Sequence, residues 1–130
     1  MQAYEEDGGY QARLFIIVKE LELREGMLHA EQVSIFVGHK TVLTFQETPG
    51  DCLEPVRVRL RQGGGRLRTR GPDYLAYALL DAVIDAYFPV LELCGERLEE
   101  VEEEILTHPG SNTIGRIHEV KRELLLLRRA

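Results

Sequence analysis

Two aspartates set the chemical question. Asp81 and Asp85 are the only charged residues in the apolar stretch from Tyr74 to Leu91, and their i, i+4 spacing puts both carboxylates on one face of a helix. Two like charges there disfavour each other by a few tenths of a kcal/mol, so a cation between them is one reason to keep them. Oxygen-only ligands with no nearby His or Cys suit Mg²⁺ or Ca²⁺ better than zinc. Two carboxylates cannot complete such a site, and waters or a neighbouring subunit must supply the rest. The same spacing also describes the solvent side of an amphipathic helix, and spacing alone does not separate the two readings.

Other reactive residues form no catalytic constellation. There is no G-x-S-x-G and no H-E-x-x-H, and His29, His39, His108 and His118 fall on predicted turns or a helix face, so the chain is not expected to be an enzyme. Cys52 and Cys94 lie far apart without a C-x-x-C pattern, which points to buried structural thiols and away from a zinc knuckle or a redox dithiol. Arg57, Arg59, Arg61, Arg66, Arg68 and Arg70 flank Gly63-Gly64-Gly65, but Arg66-Leu67-Arg68 follows the glycines where a phosphate loop needs Gly-Lys-Ser/Thr. No aromatic residue is interleaved for base stacking, and the net charge is −6, so nucleic acid is not an expected partner. A solvated or subunit-facing basic loop is.

The elements that must position these residues are legible from pattern. One hundred and thirty residues, 44% hydrophobic and 29% charged, can bury roughly 65–70% of the surface of the unfolded chain without a metal or disulfide. No run approaches the ~18–20 consecutive apolar residues of a membrane helix, and acidic Met1 to Asp7 lacks the basic and apolar regions of a secretory signal. A cytoplasmic, non-spanning segment is expected. Leu14 to Val18 predicts a strand covered on both faces, continuing with alternation to Leu23. After a turn at Gly26, Val33, Ile35 and Val37 alternate, and Thr41 to Gln46 forms a third strand beyond a Gly38-His39-Lys40 loop with a positive-φ residue. This is an antiparallel meander over about residues 10–47. Residues 51–71 read as a short helix from Pro55 to about Arg61 and the basic loop.

Residues 72–130 read as long helices. Proline and an acidic residue open the first at Gly71-Pro72-Asp73, and Pro89 is expected to kink it without ending it. Leu91, Cys94, Leu98, Val101 and Ile105 repeat at 3 and 4, as do Ile114, Ile117, Val120, Leu124 and Leu127 after a turn near 108–112, so an antiparallel helical hairpin follows. Its first arm is acidic through Glu96, Glu99, Glu100, Glu102, Glu103 and Glu104, and its second basic through Arg116, Lys121, Arg122, Arg128 and Arg129. The arms should attract one another. The glutamates also offer a loose divalent-cation face, beside the plainer reading of a solvated surface. The apolar pattern runs to Ala130 without a C-cap signal, as expected of a piece of a longer chain. The fold class is α+β.

Several segments in order resemble the CorA family of magnesium and cobalt transporters: Gln32 to Val37, Val42 to Glu47, Gly50 to Arg57, Asp73 to Phe88, Leu98 to Leu106 and His118 to Leu124. Each is weakly specific alone, while order and spacing together make coincidence improbable, and the likeness covers roughly residues 10–130. The resemblance implies part of the cytoplasmic N-terminal domain of a homopentameric, cation-selective channel of the inner membrane. Such a domain senses intracellular Mg²⁺, and metal between neighbouring subunits holds the channel closed. Asp81 matches a family position that contributes a carboxylate to a regulatory site. Asp85 shares its face, and the acidic hairpin is similar to the family's pair of protruding helices.

The chain departs from the family pattern as well. The Gly-Met-Asn pore signature, the two transmembrane helices and the remaining acidic ligands of the intersubunit sites are absent. Transport by these residues alone is therefore not expected; membrane attachment would come only through the missing C-terminal helices, and Mg²⁺ would be regulatory as well as transported, with Co²⁺ as a second cargo. A zinc-transporting relative and a metal-independent module whose hairpin binds a partner helix are the competing expectations.

Overall fold

A computed structural model describes residues 2–4, 13–48, 52–63, 65–107, 110 and 112–129. Four strands form one antiparallel sheet in sequence order: β1 (Gln2–Tyr4), β2 (Arg13–Arg24), β3 (Met27–Val37) and β4 (Val42–Gln46). Helices α1 (Glu54–Gln62), α2 (Arg66–Thr69), α3 (Pro72–Asp85), α4 (Tyr87–Thr107) and α5 (Thr113–Arg129) follow. The chain divides into two compact units, one of Met1–Glu20 with Glu31–Asp85 and one of Leu21–Ala30 with Ala86–Ala130.

In the first unit, β3 behaves as its alternation predicts. Val33 and Ile35 are fully enclosed and Val37 is buried. Val33 pairs with Gln46 and Val37 with Val42 along β4. β1 is an additional strand, pairing Gln2 with Phe15 and Tyr4 with Arg13. β2 departs from the expectation of two covered faces, because Ile16 is buried while Ile17 is 53% exposed. Period 2 sends neighbouring side chains to opposite faces, and only the Ile16 face is covered. The Gly38 loop also differs. None of Gly38, His39 and Lys40 has a positive φ, and the loop is closed by the Gly38 N–H donating to the Thr41 carbonyl at 2.8 Å.

The helices of this unit carry α3 on a packed base. α3 packs against α1, α2 and β4, burying Ala76, Leu79 and Val83. α1 begins one residue before Pro55 and ends at Gly63, whose φ of 74° supplies the left-handed C-cap. Buried Glu20 receives the Cys52 N–H at 2.7 Å just ahead of α1, where a negative charge suits the helix dipole. Part of the expected basic loop is helical: Arg66–Thr69 form α2, anchored by buried Leu67.

At Pro89 the expected kink takes the form of a one-residue break, after which the helix resumes. α3 ends at Asp85, Ala86 is non-helical, and α4 begins at Tyr87. The interruption sits four residues upstream because Pro89 has no N–H to donate to the Asp85 carbonyl, and its ring crowds that same carbonyl. Taken through the break, Pro72–Thr107 is 36 residues long with a mean hydropathy of 1.4 over its most apolar stretch, enough by length and composition to cross a membrane. Exposed Asp81 and Asp85 set it apart from an ordinary membrane helix, since an aspartate at the bilayer centre costs about 2.5–3.5 kcal/mol.

The second unit is the tip of the β2–β3 hairpin with α4 and α5. Glu25 and Gly26 both have positive φ, 52° and 78°, the signature of a two-residue type I′ turn. Leu21, Leu28, Val90 and Cys94 form its buried cluster, with Leu127 packed against it. α4 and α5 pack together, but the two predicted seams are only partly enclosed. Cys94, Val101 and Val120 are buried, whereas Leu91 is 50%, Leu98 45% and Ile105 46% exposed. The turn expected near 108–112 falls between the helices; His108, Pro109 and Ser111 lie outside the described residues.

Candidate metal centre

α3 holds the first candidate ligands. α3 buries Ala76, Ala78, Leu79 and Val83, while Asp81 and Asp85, one turn apart, are both exposed. Neither carboxylate has a hydrogen bond or ion pair among the described residues. The helix therefore presents two unneutralised carboxylates one turn apart. Among the described residues no group of three or more His, Cys, Asp or Glu side chains is placed to hold a metal ion. The pair offers a hard cation two oxygen donors at most, so Mg²⁺, which demands near-octahedral coordination, would keep several waters or take ligands from another chain.

The other candidates separate into distinct places. His29 is on strand β3, not on a turn, because the strand begins at Met27; His39 lies in the β3–β4 loop and His118 on α5. All three are exposed and they form no ligand cluster. Cys94 is buried as expected, but Cys52 is only half-buried, and neither forms a disulfide among the described residues. Burial, reinforced by the charge of Glu123, pushes the Cys94 thiol up from its ordinary value and makes it a poor nucleophile. In the basic segment, Arg61 reaches Glu54 at 2.6 Å and Arg57 donates to Gln46 Oε1 at 2.9 Å. Part of that positive charge thus serves to fasten α1 to β4.

The acidic arm of α4 is divided by use. Arg116 on α5 bridges Glu100 at 2.6 Å and Glu104 at 2.7 Å, so the expected attraction between the arms is realised at the end near the turn. The Thr113 hydroxyl, then the Arg116 guanidinium, hold the Glu104 carboxyl below its ordinary value, and the carboxylates hold Arg116 above its own. Glu96, Glu99, Glu102 and Glu103 face solvent.

A second link runs with reversed sign and was missed in the sequence. Arg97, the one basic residue of α4, pairs with Glu123 of α5 and also donates to the Gly26 carbonyl in the β2–β3 turn. The signal was present as a lone positive charge in an acidic arm. Glu123 Oε2 is buried without a hydrogen-bond partner among the described residues. Beside it lies a cleft of about 520 Å³ whose wall mixes Arg97, Arg116 and Arg122 with Glu100, Glu119 and Glu123. Balanced charge of this kind gives the cleft no preference for cations.

Comparison with known proteins adds the wider context. Residues 2–130 match the family described as "CorA-like Mg2+ transporter protein". The chain is 38% identical over 122 residues to the cobalt/magnesium transport protein CorA of Thermotoga maritima, covering 92% of this chain and 35% of that one. It is 35% identical over 109 residues to YfjQ of Bacillus subtilis, a protein named as a metal ion transporter, covering 82% and 33%. A segment of 83 residues is 39% identical to the manganese resistance protein MNR2 of Saccharomyces cerevisiae, covering 64% of this chain and 8% of that protein. The chain thus spans about a third of the length of the first two relatives.

Proposed function

Because this chain belongs to the CorA-like Mg²⁺ transporter family, we propose that it is the part of a magnesium and cobalt transporter that senses intracellular Mg²⁺. The reading places it on the cytoplasmic side of a membrane protein, within a homopentamer, and gives it no enzymatic role. One observation supports the sensing role: Asp81 and Asp85, the only charged residues from Tyr74 to Leu91, stand exposed one turn apart on α3 with no ion pair among the described residues.

Mechanistically, α3 supplies one side of a shared site. Asp81 and Asp85 would hold Mg²⁺ there together with groups of a neighbouring subunit, and the ion would supply neutralisation of acidic surfaces that otherwise repel. The linkage makes metal occupancy a stabilising term of the closed assembly, rising with the logarithm of free Mg²⁺ above its dissociation constant. The all-oxygen donor set favours a hard cation over zinc.

Limited proteolysis of the full-length protein tests this reading. Mg²⁺ should slow cleavage of the wild-type assembly, and Asp81→Ala should lose at least most of that protection. Equal protection of the two proteins would mean that Asp81 is only a solvated helix residue.

A further inference from the structure

Residues 53–70 carry six basic side chains and one acidic, and residues 96–104 carry six acidic and one basic. Each minority charge is already used. Glu54 pairs with Arg57 and Arg61, and Arg97 pairs with Glu123 of α5. Arg116 then takes Glu100 and Glu104. Arg59, Arg66, Arg68 and Arg70 remain in the first segment, and Glu96, Glu99, Glu102 and Glu103 in the second. All are exposed, and none has an ion pair among the described residues.

Each set forms a connected surface. α2 packs against α1, and the Arg68 guanidinium lies over Gly63, with Nη1 3.5 Å from where a Cβ would sit. The end of α1 and all of α2 therefore share one basic patch, on which Arg66 and Arg70 stand a turn apart. On α4, steps of three and four residues put Glu96, Glu99 and Glu103 in one row, with Glu102 a turn beyond Glu99. That row lies off the seam of buried Cys94 and Val101. Like charges at these spacings oppose one another, so each patch gains from a partner of the other sign.

We propose that the basic patch of α1 and α2 docks against the acidic row of α4 on a second copy of this chain. Among the described residues the two sets do not pair within one chain. Pairing either patch with itself across a two-fold axis would set like charge against like. Only a contact between different surfaces of two copies joins the signs. Such a heterologous contact runs head to tail and closes into a ring where its rotation permits. The inference rests on the homopentamer of the proposed function, and adds the surfaces through which neighbours meet.

Cross-linking in the full-length protein tests the contact. Arg66→Lys with Arg68→Lys and Arg70→Lys keeps the charge at exposed positions and supplies primary amines, which a zero-length carbodiimide joins only to carboxylates in direct contact. Assembled from isotope-labelled and unlabelled copies, this protein should give cross-links from α2 to α4 between labelled and unlabelled peptides. High salt should largely remove them, because exposed ion pairs are screened. Adding Glu99→Gln, Glu102→Gln and Glu103→Gln should abolish them with the helical circular dichroism unchanged. Cross-links confined to one chain, or joining the α2 lysines to another part of the protein, would overturn the proposal. A full-length protein that sediments as a monomer would sink the homopentamer along with it, whereas a pentamer without cross-links from α2 to α4 would sink this contact alone.

Discussion

The Thr113 hydroxyl donates to Glu104 Oε1 at 2.6 Å while accepting the Gly110 N–H at 3.0 Å. One buried side chain thereby joins the end of α4, the turn and the first residue of α5. Replacing Thr113 with Val keeps the volume and removes both bonds, leaving a donor and an acceptor without their partner. Thermal unfolding followed by circular dichroism should show a lower midpoint for Thr113→Val, while Thr107→Val, at an exposed site, should change it far less.

Glu104 should make hairpin stability depend on acid. Its folded pKa lies below the ordinary 4.5, through the Thr113 hydroxyl first and the Arg116 guanidinium after it. A depressed carboxylate pKa contributes stability that is fully present above the unfolded value and is lost as pH falls through the folded one. Glu54, held down by Arg61 and then Arg57, acts in the same direction in the first unit. Denaturant midpoints should therefore fall below pH 4.5, and Glu104→Gln should flatten part of that fall. An unchanged slope would remove Glu104 from the account.

Arg97 and Glu123 should be strongly coupled, since their side chains are only 26% and 15% exposed. Losing either partner leaves the other charge half-buried, whereas losing both replaces the pair by apolar contacts. A double-mutant cycle with Arg97→Met and Glu123→Leu should give a coupling energy of about 0.5–3 kcal/mol. Additive effects of the two substitutions would show that the pair is incidental.

Leu53 and Leu106 should respond very differently to the same truncation. Leu53 is 1% exposed at the head of α1, and Leu106 is 77% exposed near the end of α4. Leu53→Ala should cost about 2–5 kcal/mol in urea unfolding, and Leu106→Ala should stay within about 0.5 kcal/mol.

What the sequence reveals about this fold follows the range of the interactions involved. The β3 alternation, the starts of α1 and α3 and the two hairpin arms depend on local spacing, and the elements form where that spacing puts them. β1 escaped notice because three residues without alternation or β-branching announce no strand; their pairing with Phe15, Leu14 and Arg13 is tertiary. The exposure of Ile17 also depends on what covers the other face of the sheet, which no local pattern encodes. Pro89 is visible in the sequence, but its effect appears four residues earlier because the lost partner is the Asp85 carbonyl. At the candidate site, the i, i+4 placement of Asp81 and Asp85 was legible. Their lack of neutralising partners was not, since it depends on where every other arginine and lysine comes to rest.

Calorimetric titration of Mg²⁺ into the full-length protein, with wild type beside Asp81→Asn, addresses the sensing role most directly. The substitution keeps the size of the side chain and removes its charge at an exposed position with no hydrogen bond or ion pair among the described residues, so the fold of the domain should stay intact. The account predicts that the Asp81→Asn protein loses one class of Mg²⁺ site while the remaining sites titrate as before. Identical stoichiometry and affinity in the two proteins would contradict it.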